Sequence, residues 1–174
     1  MINLMLGASY QQLDNQREAI RYFEKAEALA DTLDNETRSQ ILASIGDSYY
    51  KLERKDSAFV YYDRAIEMDP DNLLALNNCA YYLAEEGRDL DRAETMSAIC
   101  VRANPENDTA LDTYAWIFFR KKDFGRAKEF IDRALAVEGD NPAADVLSHA
   151  GDIYYFYGDR AKALDFWQQA LELS

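Results

Sequence analysis

The chain has 174 residues, and its 19 basic against 32 acidic side chains give a formal charge of −13. This balance disfavours nucleic acids and anionic membrane surfaces as partners, because both are bound mainly through clustered Lys and Arg. Hydrophobic residues make up 48% of the sequence, yet no apolar run approaches the roughly 20 residues that a transmembrane helix needs. We therefore predict a globular domain that binds no nucleic acid and does not insert into a membrane through this segment.

Small residues recur along the chain in triplets: Gly7/Ala19/Ala26, Gly46/Ala58/Ala65, Ala80/Ala93/Cys100, Ala115/Ala127/Ala134 and Gly151/Ala163/Ala170. The steps within a triplet are 12 and 7, apart from one step of 13 between Ala80 and Ala93, and successive triplets start 39, 34, 35 and 36 residues apart. This period predicts ten helices in five antiparallel hairpins, over residues 1–33, 39–72, 73–107, 108–141 and 144–174. The extra residues 31–38 are expected to lengthen the second helix of the first hairpin or the loop after it.

Other positions follow the same period. A packing position lies four residues after each second small residue, and it holds Phe23, Tyr62, Ser97, Ile131 and Trp167. All three prolines, Pro70, Pro105 and Pro142, fall between hairpins, where helices must end. Gly87 and Gly158 fall at turns inside hairpins, where a left-handed helix cap is wanted.

This pattern resembles the tetratricopeptide repeat (TPR) family over essentially the whole chain. The resemblance implies an all-α fold, a right-handed α-solenoid of about five helix pairs that form a single array; an unrelated all-α bundle is the alternative. Later stretches such as HAGDIYYFYGDRAKALDFWQQALEL look like the C-terminal TPR array of multi-repeat proteins from Bacteroidetes-like bacteria, many of which are envelope-associated. No targeting segment is present, so the location stays open between the cytoplasm and the periplasm or envelope.

The resemblance implies that the first helix of each hairpin lines a concave groove, which takes another polypeptide without catalysis. Helical spacing selects one stripe of candidate groove residues: Asp47, Tyr50, Asn77, Tyr81, Asp112, Trp116, Phe119, Asp152 and Tyr155, together with Glu85, Arg120 and Phe156. Aromatic and acidic side chains favour a peptide with basic or amide groups. The alternative is that the rings pack between neighbouring helices and that the aspartates are solvated. Only Asn77 suits the carboxylate clamp of some TPR domains, so a terminal carboxylate is disfavoured as ligand.

Catalytic and cofactor chemistry is not indicated. The single histidine, His149, cannot build a His-rich metal site and is predicted to be a groove or packing residue. No phosphate loop or metal motif occurs, so we predict no metal, no cofactor and no enzyme activity. Cys79 and Cys100 occupy apolar helix positions and are predicted to be buried thiols outside any disulfide.

The C-terminal end carries Leu164, Trp167 and Leu171, which have no following helix to cover them. They either pack within the fifth hairpin or are available for contact with a second copy. Self-association through this end, as part of a larger multi-repeat protein, is therefore an alternative function. The chain is equally expected to be a piece of a longer array.

Overall fold

The computed structural model describes residues 2–29 and 33–173. Over those residues the chain has no strand and forms ten α-helices: α1 (Ile2–Gln12), α2 (Gln16–Glu27), α3 (Asn35–Lys51), α4 (Lys55–Met68), α5 (Leu73–Glu86), α6 (Leu90–Ala103), α7 (Asp108–Arg120), α8 (Phe124–Glu138), α9 (Ala144–Tyr157) and α10 (Arg160–Glu172). The predicted all-α class is confirmed. None of these described helices combines the length and apolar character that a bilayer span requires.

The chain divides into two compact units, unit 1 (residues 1–79) and unit 2 (residues 80–174), and the division falls within α5. In unit 1, α1 packs on α2, α2 on α3 and α3 on α4. In unit 2, α6 packs on α7, α7 on α8, α8 on α9 and α9 on α10, and α7 also contacts α9. The first helices α3, α7 and α9 therefore each contact the second helix of the hairpin before them. In unit 2, the successive first helices α7 and α9 also contact each other.

The turn inside every hairpin places the residue seven positions after the first small residue in the left-handed conformation, and the third hairpin places Asp89 there as well. The residues at the seventh position are Asp14, Glu53, Gly87, Lys122 and Gly158. The predicted caps are thus confirmed, with φ of +64° at Gly87 and +111° at Gly158. The other three turns hold side chains in a conformation that favours glycine and that costs an L-residue about 1–2 kcal/mol.

The third hairpin has its extra residue in this turn, which explains the step of 13. In the other four hairpins the residue after the left-handed one is the N-cap of the second helix, whereas here the cap is Asp89, two residues after Gly87. Asp89 accepts a hydrogen bond from the backbone N–H of Arg92 at 3.4 Å. The cap chemistry is therefore kept although the turn is longer.

The extra residues before the second hairpin lie partly in a helix, contrary to our expectation. Asp34 caps α3 by accepting from the backbone N–H of Thr37 at 2.7 Å, so α3 begins at Asn35 rather than at residue 39. Residues 35–38 thus lengthen the first helix of the second hairpin, not α2 or its loop. Residues 30–32 lie outside the described part of the chain.

The small triplet residues are all buried, as predicted. Where the first small residue is glycine, a ring from the second helix fills the space that a Cβ would occupy: Phe23 against Gly7, Tyr62 against Gly46 and Trp167 against Gly151. In the third and fourth hairpins the ring is replaced by Ser97 and Ile131, and alanine takes the glycine position. An aromatic ring on the second helix therefore goes with glycine on the first helix, and a smaller side chain goes with alanine.

Candidate functional site

Unit 1 contains three of the predicted groove residues, and their side chains are largely engaged. Asp47 on α3 accepts hydrogen bonds from the Tyr62 hydroxyl and from Asn78 Nδ2, the latter at 3.1 Å. Burial raises the pKa of the Asp47 carboxyl in spite of these two donors. Asp47 therefore joins α3, α4 and α5 through its Oδ1 atom.

The other two residues of unit 1 differ from each other in accessibility. Tyr50 is partly exposed, and the Lys55 ammonium lies 5.6 Å from its ring centre. Asn77 on α5 is only 9% exposed, and its amide oxygen has no hydrogen-bond partner among the described residues. A buried acceptor without a donor costs about 1–3 kcal/mol. The predicted grip of Asn77 on a peptide backbone is not tested by these contacts.

In unit 2, four predicted residues come together around His149 on α9. The His149 ring stacks on Trp116 at 4.3 Å between centroids and lies 6.1 Å from Tyr81. Its Nδ1 lies 2.9 and 3.0 Å from the two oxygens of Asp112. Trp116 also stacks on Phe119 at 4.7 Å between centroids. The single histidine is therefore both a packing residue and a hydrogen-bond partner of Asp112 on this face.

Carboxylates surround this cluster. Trp116 Nε1 donates to Glu85 Oε1 at 2.6 Å, which ties α7 to the end of α5. Burial opposes the charged form of His149, but the hydrogen bond to Asp112, with the charges of Asp112, Glu85 and Asp145, raises its pKa above the usual 6.5. Burial and the same three carboxylates also raise the pKa of Tyr81. Three carboxylates therefore act on this cluster, against one guanidinium, that of Arg120, whose Nη1 donates to the Glu85 carbonyl at 2.7 Å.

Towards the C-terminus the rings continue through α9. Phe156 lies 5.5 Å from Phe119 and 5.4 Å from Tyr155 between centroids, and Tyr155 lies 5.7 Å from Trp167. Asp152 accepts from Trp167 Nε1 at 3.1 Å. We call the resulting line of ring contacts the aromatic row, and its members are Tyr81, His149, Trp116, Phe119, Phe156 and Tyr155.

Exposure separates the row into supporting and accessible members. Trp116 and Asp112 are each only 8% exposed, so they support the face more than they form its surface. Phe156 is 57% exposed and Tyr155 41% exposed. Tyr81 and Phe119 are partly exposed. A ligand on this face would therefore meet Phe156 and Tyr155 first.

Two features of this face escaped the sequence reasoning: the pairing of His149 with Asp112, and the bond from Trp116 to Glu85. The repeat contains a signal for part of them. In two hairpins, the residue that directly follows the first small residue contacts the next hairpin, at the position two residues before that hairpin's own first small residue. Asp47 contacts Asn78 in this way in unit 1, and Trp116 contacts His149 in unit 2. Applying the period to contacts between hairpins, as well as within them, would have predicted the stacking of His149 on Trp116.

The two cysteines and the potential metal ligands are the other reactive groups that the sequence raised. Cys79 and Cys100 are buried thiols that form no disulfide, as predicted, and burial raises the pKa of Cys100 to about 11. Among residues 2–29 and 33–173, no three His, Cys, Asp or Glu side chains gather in a way that could hold a metal ion.

Residues 1–71 match the tetratricopeptide repeat family. The TPR repeat-containing protein PA4667 of Pseudomonas aeruginosa is 30% identical over 98 residues, which are 56% of this chain and 15% of that protein. Tetratricopeptide repeat protein 21B of Xenopus laevis is 28% identical over 133 residues, which are 76% of this chain and 10% of that protein. The chain thus spans only a small part of the length of these curated relatives.

Solved structures share the fold. TTC0263, a thermophilic TPR protein of Thermus thermophilus, superimposes with a TM-score of 0.78 at 19% identity, over 99% of this chain and 90% of that one. MamA from Desulfovibrio magneticus RS-1, from residue 41 to its end, gives 0.76 at 16% identity, over 99% and 93% of the two chains. The family match over residues 1–71, the TPR-named relatives and the shared fold support a place for this chain among tetratricopeptide repeat proteins, which are generally non-catalytic scaffolds for protein–protein interaction.

Proposed function

We propose that this chain holds a segment of another polypeptide against the first helices of unit 2, through non-covalent contacts and without catalysis. The observation that carries the proposal is the aromatic row, in which Phe156 and Tyr155 are exposed although neighbouring rings hold them in place. Rings that are already fixed offer a large contact area and lose little conformational entropy when a ligand binds.

The charge on this face favours a basic segment. Glu85, Asp112 and Asp145 act together on Tyr81 and His149, and the whole chain carries a charge of −13. A Lys or Arg side chain would gain from these carboxylates and from the exposed ring of Phe156, while the Arg160 guanidinium already lies 5.5 Å from the ring centre of Tyr155. An acidic segment would be repelled from the same face.

We assign two roles to the predicted groove residues of unit 2. Ring contact with the ligand falls to the more accessible members: Tyr81, Phe119 and Tyr155, with Phe156. Support of those rings falls to the buried or hydrogen-bonded members: Asp112, Trp116 and Asp152. The groove residues of unit 1, which are Asp47, Tyr50 and Asn77, stay a prediction.

A peptide selection tests this assignment although the partner is unidentified. A displayed library of random peptides would be selected on the wild-type chain, and the dissociation constants of the recovered peptides would be measured for Phe156→Ala and Tyr155→Ala. Tyr157→Ala is the matched control, because Tyr157 is 52% exposed on the same helix and lies outside the aromatic row, beside Lys128.

The expected result is a set of peptides enriched in Lys, Arg and apolar residues. Loss of one anchoring ring should weaken their binding about tenfold, a typical effect of truncating an interface anchor. Tyr157→Ala should leave the affinity unchanged. Equal binding by wild type, Phe156→Ala and Tyr155→Ala, or equal losses in all three variants, would remove the aromatic row as the binding site.

Self-association is a second candidate, because α10 keeps an apolar surface. Leu164 and Leu171 on α10 are 56% and 77% exposed. The preceding second helix, α8, instead packs on the next first helix, α9. Trp167 is less available for contact than these two leucines, because its indole packs against Gly151 and donates a hydrogen bond to Asp152.

The second candidate commits to a second copy of this chain on α10. Light scattering should then give a dimer mass that Leu171→Glu returns to a monomer mass, with circular dichroism as the check on folding. A monomer mass for the wild type over the micromolar range eliminates the candidate, while the peptide selection above would be unaffected.

A further inference from the structure

A groove on the second helices of unit 2 differs from the rest of this acidic chain in its charge. It has a volume of about 500 Å³ and lies between α6 and α8, over one side chain of α7. Its polar lining includes Arg102 from α6, Tyr114 from α7 and Arg133 from α8, with Phe130 among its apolar members. We call it the second-helix groove.

The two arginines of this groove have no acidic partner among the described residues. Arg102 donates from Nε to the carbonyl of Ala98 at 3.2 Å, and Arg133 donates to the carbonyl of Pro105 at 3.1 Å. The Arg133 guanidinium also lies 5.0 Å from the ring centre of Phe130. These contacts orient both guanidinium groups but leave their charges uncompensated and most of their N–H donors unused.

The neighbouring basic residues are different, because carboxylates neutralise them. The Nζ atom of Lys121 lies 2.5 Å from Oδ1 of Asp91 and 2.6 Å from Oε2 of Glu94. The Nε atom of Arg126 lies 2.7 Å from Oδ2 of Asp123. Glu94, the one carboxylate that lines the groove, is therefore already paired. Lys121 and Arg126 thus carry compensated charges, whereas Arg102 and Arg133, which line the same groove, do not.

Tyr114 adds a third donor. Its ring packs between Phe118 and Phe130, each 4.6 Å away between centroids, and its hydroxyl makes no hydrogen bond within residues 2–29 and 33–173. Burial and the charge of Glu94 raise the pKa of Tyr114, against the charges of Arg126 and Arg102. The hydroxyl thus keeps its proton at neutral pH and can donate it in a hydrogen bond.

We propose that the second-helix groove binds the carboxylate groups of an acidic polypeptide segment through Arg102, Arg133 and Tyr114. Guanidinium groups bind carboxylates with paired hydrogen bonds, and the apolar floor of the groove can cover the methylene groups of a Glu side chain. The occupant is opposite in charge to the one that we assign to the aromatic row. The site is independent of that proposed function, since it lies on other helices and uses none of the same residues.

The test uses the full chain and an acetylated, amidated decapeptide of Glu and Ala with an uncharged fluorescent label. Binding would be followed by fluorescence anisotropy at low ionic strength, with a Gln and Ala peptide of the same length for comparison. The variants are Arg102→Gln/Arg133→Gln and Tyr114→Phe. The matched control is Arg17→Gln/Lys122→Gln, which removes the same charge from two exposed side chains that do not line the groove.

The wild type should bind the Glu peptide and not the Gln peptide, and added salt should weaken the binding. Loss of two charge-assisted contacts should lower the affinity by about tenfold or more, and loss of the hydroxyl by about threefold. The control double variant should stay within about twofold of the wild type, since exposed unpaired charges act only weakly at a distance.

Three outcomes would overturn the proposal: no binding of the Glu peptide by the wild type, equal binding of the Glu and Gln peptides, or equal losses in the groove and control double variants. Because the chain as a whole is acidic, general electrostatic attraction cannot produce a false positive with this probe. The peptide selection on the aromatic row can fail or succeed without changing any of these results.

Discussion

The replacement Gly151→Ala tests whether ring size and the first small residue are matched in each hairpin. Gly151 on α9 faces the indole of Trp167 on α10. A methyl group at residue 151 would lie 2.8 Å from Trp167 Cγ and closer still to Cδ1 and Nε1. Carbon atoms in contact normally lie about 3.5–4.0 Å apart, so the indole would have to move by more than about 1 Å.

The cost of that movement has two parts. Over-packing of a core costs about 1–3 kcal/mol. The displaced indole also loses its 3.1 Å hydrogen bond to Asp152, and a bond to a charged acceptor contributes about 1.5–3 kcal/mol. The better helix propensity of alanine offsets about 0.5–1 kcal/mol. We therefore expect Gly151→Ala to destabilise the fifth hairpin by about 3 kcal/mol.

A double-mutant cycle with Trp167→Ile isolates this effect, because the fourth hairpin already combines Ala115 with Ile131. Urea unfolding followed by circular dichroism would give the four free energies of unfolding. Hydrogen exchange with mass spectrometry would locate the change, since repeat arrays can open locally. In the Trp167→Ile background, Gly151→Ala should stabilise by about 0.5–1 kcal/mol, because only helix propensity then differs.

The ring contacts also predict an order among the glycine positions. An added methyl at Gly7 would lie 2.6 Å from Phe23, and one at Gly46 would lie 3.1 Å from Tyr62. Glycine-to-alanine costs should therefore decrease from Gly151 to Gly7 to Gly46. Additivity of the two substitutions at residues 151 and 167 within about 0.5 kcal/mol would refute ring contact as the cause of the destabilisation.

The remaining predictions concern the turns, the histidine and the thiols. Glu53→Gly should raise the free energy of unfolding by about 0.5–1 kcal/mol in a urea melt, because Glu53 has a φ of +59°. In an NMR titration His149 should show a pKa above 6.5, and Asp112→Asn should lower it. The stability that this pair adds should be fully present below pH 6.5 and lost as pH rises through the folded-state pKa of His149. Cys79 and Cys100 should react with a thiol reagent at pH 8 only after urea is added, because both are buried.

Each of these predictions has a control. Glu53→Ala keeps the side-chain strain while it removes the same charge, so a gain as large as that of Glu53→Gly would assign the effect to charge. His149→Gln should abolish the pH dependence in that window, and a slope that persists in this variant would assign it to other groups. Thiol labelling at the same rate with and without urea would contradict the burial of Cys79 and Cys100.

The features that could be predicted from the sequence depend on short-range, periodic interactions. The hairpins, their turn positions and their buried small residues recur once per hairpin. Each of these features is determined by side chains that lie close together in the sequence. Gly87 and Gly158 marked left-handed turns because only a residue without Cβ adopts that conformation without strain. The start of α3 at Asn35 was missed because Asp34 caps the helix within the residues that are extra to the period.

Accessibility within the predicted groove was decided by the tertiary structure. Trp116 and Phe156 lie on the same stripe of their helices, yet Trp116 is buried beneath His149 while Phe156 is exposed. The stripe fixes the direction of a side chain from its own helix. It does not fix how closely the next helix covers that side chain, which depends on packing between hairpins.

The second-helix groove shows the same limit more sharply. Arg102 and Arg126 are the same residue type on successive second helices. Arg126 lies 3.6 Å from Glu94 of the preceding second helix, whereas Arg102 has no carboxylate partner in the described part of the chain. The repeat period was enough to predict the helices that carry these arginines. Compensation of a charge across helices depends on tertiary packing, because an ion pair needs two atoms within about 4 Å, and the distance between side chains of separate helices follows from how those helices pack.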